Sequence, residues 1–378
     1  MRIGLYGGAF NPVHSEHVRV AQAAVEALGL DKLIVIPTYI SPHKKGDIMA
    51  RGKDRAEMCR HAFESMPCAE VSNVELKRKG ISYSYVTCRH FKKKYPDDDL
   101  FFIMGADMLE TFSSWKEPEE ILKCVTLAVA GREGEKDLRS LILAFAKKFP
   151  HSEIVSVGYT GSKVSSTRVR CLAALGEDLG DLVPEKVRTY IKHHGIYLMP
   201  RIASCRKYIK EKRWKHSVRV AVMAAENCRR MGIFEEDAII AGGLHDCAKY
   251  TSLDSPDLKG FVCPPDVPEP VLHQFTGAYM AEHVFGITDE NILNAIRYHT
   301  SGRENMGPLE KLLFLSDMLE EGRDFEGVDH LREVFAKDID RCLYESLKQQ
   351  VAYLESTGKP VYPLTKRAYE YIKEQYEQ

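Results

Sequence analysis

Long hydrophobic runs are missing from this 378-residue sequence, although 44% of its residues are hydrophobic. A membrane-spanning helix needs about 20 consecutive apolar residues, so the sequence indicates no membrane protein of that kind. The start of the chain also lacks the basic, apolar and small-residue order of a secretory signal. We therefore expect a cytoplasmic protein with enough apolar residues for two cores.

Paired cysteines and an excess of one charge are missing as well. The 10 cysteines form no CxxC pair, which argues against a disulfide framework in a chain of this length. The formal net charge is −1, so the chain as a whole has no electrostatic attraction for nucleic acid. The sequence leaves open whether the chain forms a homo-oligomer.

Strand and helix patterns alternate in the first half. Helical stretches separate the apolar segments "RIGLY", "KLIVIP", "AEVSNVEL", "LFFIM", "VTLAVAG" and "EIVSV". Ser15 is suited to cap the first of these helices, and Gly29 is suited to end it. Continuous apolar strands that alternate with helices predict an α/β fold, a doubly wound parallel sheet covered on both faces. Such sheets bind ligands at the carboxyl ends of their strands.

Strand patterns disappear after about residue 200. The segments that follow have helical periodicity, among them "SVRVAVMAAENCRRMG", "EDAIIAGGLHDCAK" and "PLEKLLFLSDMLEE". We place a domain boundary near Pro200. The sequence therefore predicts an α/β domain at 1–199 and an all-α domain at 200–378.

The segment "GGAFNPVHSEH", residues 7–17, directly follows the first predicted strand. Gly7 and Gly8 let the backbone approach a phosphate closely, and the helix that follows presents its positive end to an anion. A GxGxxG dinucleotide site is not indicated, because His14 and His17 stand at this helix start instead. Imidazoles in that position suit a polyphosphate whose charge is being redistributed.

This opening segment resembles the GGxFxPxHxGH signature of nucleotidylyltransferases, specifically the NadD-type nicotinate-mononucleotide adenylyltransferases. Further segments match that family in order over about residues 1–198, namely "SPHK", "GISYSYVT", "MGADMLETFSSWK" and "SSTRVR". The resemblance implies a Rossmann-like fold and direct transfer of adenylyl from ATP to nicotinate mononucleotide. Pyrophosphate would leave, and magnesium would assist.

The same resemblance implies roles for individual residues. His14 and His17 would contact the ATP phosphates in the transition state. Lys44 and Arg168 would hold phosphate oxygens, and Trp115 would stack on the pyridine ring. The residues implied to bind substrate or nucleotide are Gly7, Gly8, Ala9, Phe10, His43, Thr87, Gly105, Asp107, Trp115, Ser165, Ser166 and Thr167.

One position of the opening segment departs from the family signature. Glu16 stands where the family usually has glycine. A carboxylate beside a phosphate site repels the phosphate. We expect the helix to point Glu16 to solvent; otherwise, reduced activity is the expected result.

Six histidine and aspartate side chains in the second half fall on inward-facing segments. They are His216, His245, Asp246, His273, His299 and Asp317. An unpaired carboxylate on an apolar face is too costly to keep, so Asp246 and Asp317 need a compensating partner. The several histidines that share these faces indicate that this partner is a metal cation.

This set resembles the HD superfamily of metal-dependent phosphohydrolases, whose central motif matches "HDCAK". Over about residues 203–370 it is more closely similar to the YqeK-type symmetrical bis(5′-nucleosyl)-tetraphosphatases. The resemblance implies two iron ions that activate a water, and hydrolysis of diadenosine tetraphosphate to two ADP. Mixed nitrogen and oxygen ligands also suit manganese or zinc on chemical grounds. Asp246 and Lys249 are the catalytic residues that it implies.

Three alternatives stay open from the sequence. The second half could hydrolyse another nucleotide, such as a nucleoside di- or triphosphate or a cyclic dinucleotide. It could instead act as a nucleotide-sensing module with little turnover, although the complete ligand set argues against this. The first half could prefer nicotinamide mononucleotide or another phosphate acceptor, which Trp115 alone does not exclude.

Overall fold

A computed structural model describes residues 1–40, 48–132, 137–162 and 164–376. These residues form two compact units. The front unit contains the described residues up to Arg170, apart from Ile48, together with Asp178–Tyr197. The rear unit contains Ile48, Cys171–Glu177 and the described residues from Leu198 onward.

A six-stranded parallel sheet forms the centre of the front unit. Its strands are β1 (Arg2–Gly8), β2 (Lys32–Pro37), β3 (Ala69–Val71), β4 (Asp99–Gly105), β5 (Thr126–Arg132) and β6 (Ile154–Gly161). They lie in the order β3-β2-β1-β4-β5-β6. Residues 33–36 of β2 are all fully buried, and successive side chains face opposite sides, so both faces of the sheet are covered. The predicted doubly wound, Rossmann-like fold is confirmed.

Helices connect these strands along the chain. They are α1 (Ser15–Leu28), α2 (Gly52–Phe63), α3 (Val74–Arg78), α4 (Ser84–Lys94), α5 (Ala106–Thr111), α6 (Pro118–Leu122), α7 (Leu138–Lys148), α8 (Ser166–Ala174) and α9 (Glu185–His194). As predicted, α1 ends at Gly29, which adopts the left-handed conformation at φ 56°. The predicted cap is wrong, because His14 occupies the cap position and Ser15 is the first helical residue.

The predicted strand "AEVSNVEL" is also shorter than expected. Only Ala69–Val71 is extended, and α3 begins at Val74. Glu75, in the first turn of α3, is buried and accepts a hydrogen bond from the Thr87 hydroxyl at 2.5 Å. A contact with a residue on α4 therefore holds this segment in a helical turn, where the apolar pattern alone favoured a strand.

The rear unit contains helices joined by loops and, among its described residues, no strand, which confirms the all-α prediction. Its helices are α10 (Pro200–Ala203), α11 (Glu211–Asn227), α12 (Glu235–Leu244), α13 (Glu269–His283), α14 (Glu290–Tyr298), α15 (Pro308–Leu319), α16 (Val328–Lys337), α17 (Ile339–Ser356) and α18 (Pro363–Tyr376). Neither unit contains, among the residues described, a helix both long and apolar enough to cross a membrane.

A glycine allows α11 and α12 to pack closely. A Cβ atom on Gly242 would lie 2.4 Å from the Cα atom of Ala221, so a larger residue does not fit. On α11, Trp214 is fully buried, and its indole N–H donates to Glu177 at 2.6 Å. Because α12 ends at Leu244, this tight packing also fixes the residues that follow the helix.

Candidate functional sites

The predicted front site lies where two neighbouring strands end. β1 ends at Gly8, and β4, which pairs with it in parallel, ends at Gly105. The carboxyl ends of parallel strands meet at one edge of a sheet. His14 follows the first strand, and the exposed Asp107 lies in the first turn of α5 after the second. The structure thus brings two of the predicted segments to the same edge.

The two histidines of the opening segment lie against each other. Their ring centroids are 3.7 Å apart, and the ring planes are inclined by 34°. His14 is buried and His17 is half-buried. The backbone N–H of His14 donates to Nδ1 of His17 at 3.1 Å, so in the neutral His17 ring the proton is on Nε2.

The glycines of this turn meet different structural demands. A Cβ atom on Gly8 would lie 3.2 Å from the Phe10 ring, whereas one on Gly7 would meet only ordinary contacts at 3.8 Å. Phe10 is 1% exposed and adopts a positive φ of 45°. Gly8 therefore makes room for the Phe10 ring, a requirement that the phosphate interpretation did not include.

A buried arginine holds the turn in place. Arg55 is 2% exposed, and its guanidinium donates to the carbonyl oxygens of Ala9 and Thr38, both at 2.6 Å. It also donates to the carbonyl oxygen of Ala50 at 3.2 Å. A buried guanidinium needs such acceptors, and here they are three separate parts of the backbone.

Glu16 is buried, contrary to the expectation that it points to solvent. Its side chain accepts hydrogen bonds from the Tyr159 hydroxyl at 3.0 Å and from the Ser162 N–H at 2.9 Å. It also pairs with Arg19. Burial raises the pKa of Glu16, but the hydrogen bonds from Arg19, Ser162 and Tyr159 outweigh burial and lower it below its ordinary value. The protein itself therefore satisfies this carboxylate.

The start of α8 lies beside the opening segment. The Ser166 hydroxyl donates to the carbonyl oxygen of Pro12 at 3.1 Å, and Arg170 donates to that of Asn11 at 2.6 Å. The other predicted phosphate-binding residues at this helix start are Ser165, Thr167 and Arg168. The structure therefore places the "SSTR" segment next to the turn that carries the two histidines.

Two of the predicted substrate-binding residues are buried by packing in the front unit. Thr87 is 2% exposed, and its hydroxyl donates to Glu75. Trp115 is buried, with its ring centroid 5.2 Å from that of Phe112. Their substrate-binding roles stay predictions. His43 and Lys44 lie outside the described residues.

The six histidine and aspartate residues predicted in the rear unit come together, and we call them the rear cluster. His216 lies on α11, His273 on α13 and Asp317 on α15. The remaining three members, His245, Asp246 and His299, directly follow the ends of α12 and α14. Five of the six are buried, and Asp317 is half-buried. Five segments of the chain therefore supply one compact polar centre.

The ligand atoms of the rear cluster form two groups that share His245. Nε2 of His216 lies 2.9 Å from Oδ1 of Asp317, and Nε2 of His245 lies 3.2 Å from Oδ2 of Asp246. Among the described residues these two buried Nε2 atoms have no partner aligned for a hydrogen bond. Ligand atoms lie within 4.8 Å of one another in each of two groups, His216, His245 and Asp317, and His245, Asp246 and His299. This donor set fits a pair of metal ions that share the centre.

Backbone carbonyl groups orient two of these imidazoles. Nδ1 of His245 donates to Gly242 at 2.8 Å. Nδ1 of His299 donates to Ile296 at 2.7 Å. Since a carbonyl oxygen only accepts, the proton of each neutral ring is on Nδ1, and Nε2 faces the cluster as an electron-pair donor.

The charges within the cluster favour cation binding at neutral pH. Burial and the neighbouring His299 lower the pKa of His273 to about 3. Burial and the neighbouring His245 lower the pKa of His299 to about 4. Although burial opposes it, His245 holds the pKa of Asp246 well below its ordinary value, and Asp246 raises the pKa of His245. A cation bound at this place would displace the additional proton that Asp246 stabilises on His245.

Two cationic side chains reach the cluster, Lys249, which the sequence suggested, and Arg323. Nζ of Lys249 lies 3.1 Å from Nδ1 of His273, and burial lowers the pKa of Lys249. Arg323 donates to Oδ1 of Asp317 at 2.5 Å. Both groups place positive charge beside members of the rear cluster.

Sequence reasoning missed two residues that contact the cluster. Arg213 donates to Oδ2 of Asp246 at 3.0 Å, and Oε1 of Glu320 lies 3.0 Å from Nδ1 of His216. Each missed residue lies three positions along the chain from a ligand, Arg213 before His216 and Glu320 after Asp317. That spacing places side chains on one helix face and was the available signal.

Models of two protein families match separate parts of the chain. The Cytidylyltransferase-like model matches residues 5–172, and the HD domain model matches residues 213–344. The first match contains the opening segment and the start of α8. The second match contains the whole rear cluster. By these matches the chain has a Cytidylyltransferase-like part followed by an HD domain.

Known proteins resemble the chain over its length or over its front half. A Mycoplasma genitalium protein named probable nicotinate-nucleotide adenylyltransferase/Ap4A hydrolase is 28% identical over 86% of this chain and 89% of its own. A Clostridium tetani protein named probable nicotinate-nucleotide adenylyltransferase is 36% identical over 51% of this chain and 97% of its own. The chain therefore belongs to the nicotinate-nucleotide adenylyltransferase family.

A solved structure also resembles the chain in part. It is an HD superfamily hydrolase from Clostridium acetobutylicum, described as involved in NAD metabolism. It is 32% identical, covers 46% of this chain and 96% of its own, and gives a TM-score of 0.44.

Proposed function

We propose that the chain has two enzymatic activities, one in each half. Residues 1–199 would transfer adenylyl from ATP to nicotinate mononucleotide, giving nicotinate adenine dinucleotide and pyrophosphate. Residues 200–378 would hydrolyse diadenosine tetraphosphate to two ADP. The observation that carries the proposal is the presence of two polar centres, a histidine pair at a sheet edge and a buried histidine–aspartate cluster.

In the front half, the residues would position and stabilise charge without forming a covalent intermediate. The 5′-phosphate of nicotinate mononucleotide would attack the α-phosphorus of ATP, and pyrophosphate would leave. His17 is suited to donate from Nε2 to a phosphate oxygen, because its Nδ1 already accepts from the His14 backbone. The starts of α1 and α8 lie together and add two positive helix ends. Magnesium bound with ATP would neutralise part of the polyphosphate charge.

In the rear half, two divalent cations would complete the cluster. One would be held by His216, His245 and Asp317, and the other by Asp246 and His299, with His273 beside them. We propose iron, while manganese and zinc suit the same donors. Such cations lower the pKa of a water molecule and polarise a phosphoryl group.

Lys249 would act on the substrate in this half. Its ammonium group lies within 3.2 Å of both ring nitrogens of His273, at the side of the cluster formed by His273 and His299. A positive charge in this half-buried position stabilises negative charge that develops on a phosphoryl oxygen. The protein residues of the rear half would therefore hold the cations and balance the charge of the substrate.

Product analysis tests the hydrolase proposal. The full chain, loaded with reduced iron, is incubated with diadenosine tetraphosphate, and the products are separated by ion-exchange chromatography. ADP as the sole product supports the proposal, whereas AMP with ATP means that a different phosphate is attacked. Asp246→Asn should abolish hydrolysis, while the exposed Asp254→Asn serves as the control. A metal-loaded chain that binds nucleotides but hydrolyses none would overturn the proposal in favour of a sensing module.

A direct assay tests the transferase proposal separately. Pyrophosphate release from ATP is measured with nicotinate mononucleotide and with nicotinamide mononucleotide as acceptors. We expect the nicotinate compound to give the higher kcat/KM. Equal rates with both acceptors, or a preference for the nicotinamide compound, would replace the proposed substrate.

A further inference from the structure

A buried carboxylate outside the rear cluster contacts one of its histidines. Glu320 is 1% exposed, and its Oε1 lies 3.0 Å from Nδ1 of His216. An ionised carboxylate only accepts hydrogen bonds, so Nδ1 of His216 is the donor. Nε2 of that ring, which lies 2.9 Å from Asp317, then faces the cluster as an electron-pair donor.

Three further hydrogen bonds hold the Glu320 carboxylate. Arg219 donates to Oε1 at 3.1 Å and also pairs with Oε2. The backbone N–H of Gly322 donates to Oε2 at 2.6 Å. Arg219 lies on α11, three positions after His216, so the same helix supplies both the histidine and the cation that flanks its partner.

The backbone that carries Glu320 is fixed as well. Arg332, on α16, donates to the carbonyl oxygens of Leu319, Glu320 and Arg323 at 3.0, 2.8 and 2.9 Å. Arg323 in turn donates to Oδ1 of Asp317. One short segment, residues 319–323, therefore braces two members of the rear cluster.

We propose that Glu320 is a positioning residue of the rear metal centre, which fixes the tautomer and the orientation of His216. The inference rests on the metal site in the proposed function. A carboxylate behind a metal-binding imidazole orients the ring and increases its basicity. Loss of that carboxylate lets the ring take the other tautomer or rotate, so the cation is bound more weakly.

The chain offers a matched control for a merely structural role. Glu310, on α15, the helix that ends just before Glu320, is also buried, at 5% exposure. It accepts from Arg303 at 2.8 Å and from the Gly307 backbone N–H at 2.6 Å, so it has the same kinds of partner as Glu320. It has no hydrogen bond to a histidine among the residues described. Differences between matched variants at the two positions therefore report on the contact with His216.

The test measures metal affinity in the full chain. Fe²⁺ binding, with Mn²⁺ as a second probe, is measured by competition with a chelator for the wild type, Glu320→Gln and Glu310→Gln. We expect Glu320→Gln to weaken metal binding by about 10- to 100-fold. Glu310→Gln should bind metal as the wild type does, even where its unfolding temperature falls equally. Excess metal should restore hydrolysis by Glu320→Gln.

Two results would overturn the inference. One is a folded Glu320→Gln chain that binds metal as tightly as the wild type. The other is equal loss of affinity in Glu310→Gln. If Glu320→Gln fails to fold, Arg219→Gln keeps the contact with His216 but loosens the carboxylate. It should then give a smaller weakening, and unchanged affinity would count against the inference. A wild-type chain that binds no divalent metal would instead refute the proposed metal site itself.

Discussion

The Glu16 carboxylate accepts a hydrogen bond from the Tyr159 hydroxyl at 3.0 Å, although 143 positions separate the two residues. With the Ser162 N–H, this bond connects the first turn of α1 to the end of β6. Glu16 stands between His14 and His17 in the sequence, so the contact fixes the helix start that carries both imidazoles.

Replacing Glu16 by Gln should destabilise the front unit and slow adenylyl transfer. The variant removes a charge that Arg19 pairs with, and it leaves buried donors less well satisfied, at a cost of about 1–3 kcal/mol. Thermal unfolding and the rate of pyrophosphate release measure the two effects. Glu26→Gln, an exposed change on the same helix, is the control and should change neither. Wild-type stability in Glu16→Gln would contradict this account.

The contribution of Glu16 should depend on pH. Its pKa is lowered in the folded protein, so its stabilising effect is complete above the unfolded value of about 4.3 and is lost as pH falls through the folded value. The difference in unfolding free energy between wild type and Glu16→Gln should therefore be constant near neutral pH and shrink in acid. Denaturant unfolding as a function of pH gives this difference. A difference in unfolding free energy that widens in acid would contradict a lowered pKa of Glu16.

Replacing His17 by Ala should abolish adenylyl transfer and leave hydrolysis of diadenosine tetraphosphate intact. The two activities are expected to use separate residues, and His17 belongs only to the front unit. Both activities are measured on one preparation, with the exposed His90→Ala as control. Loss of both activities together would refute independent sites.

Gly242→Ala should destabilise the rear unit and weaken its metal binding. The new Cβ atom would meet the backbone of Ala221 at 2.4 Å, and overpacking of this kind costs about 1–3 kcal/mol. Gly243→Ala is the comparison, because there the nearest atoms are side-chain ends of Ile202 and Leu175 at 3.0 Å. Differential scanning calorimetry should give the larger loss for Gly242→Ala. Equal losses of stability in the two variants would mean that the Ala221 backbone restricts Gly242 no more than the side chains restrict Gly243.

The rear cluster should bind two ions per chain, and His216→Ala should bind fewer. His216 belongs to only one of the two ligand groups. Elemental analysis of the metal-loaded protein gives the stoichiometry. His283→Ala, which removes an exposed imidazole on α13, should keep two ions. Two tightly bound ions in His216→Ala would contradict the assignment of ligands.

Local patterns in the sequence were enough to predict most of the architecture and both sets of histidines. Continuous apolar segments marked the strands, and His14 and His17 stood beside a glycine turn at a helix start. The wrong expectation for Glu16 has a clear cause, because it depends on contacts between distant parts of the chain. Glu16 meets Ser162 across 146 positions, and no periodicity relates the two.

The same cause explains the residues that were missed in the rear unit. Glu320 and His216 are 104 positions apart, and their pairing depends on how α11 packs against the end of α15. Helix periodicity shows that such a residue faces inward but not which side chain it meets.

Arg55 has a consequence for how the front half can change during evolution. Its guanidinium binds the backbone at Thr38 and at Ala50, which lie before and after the segment that contains His43 and Lys44. It also binds the turn at Ala9. Arg55, which lies outside that segment, therefore holds the backbone on both sides of it. Substitutions, insertions or deletions between Thr38 and Ala50 can therefore accumulate while Arg55 keeps the backbone of the histidine turn in place.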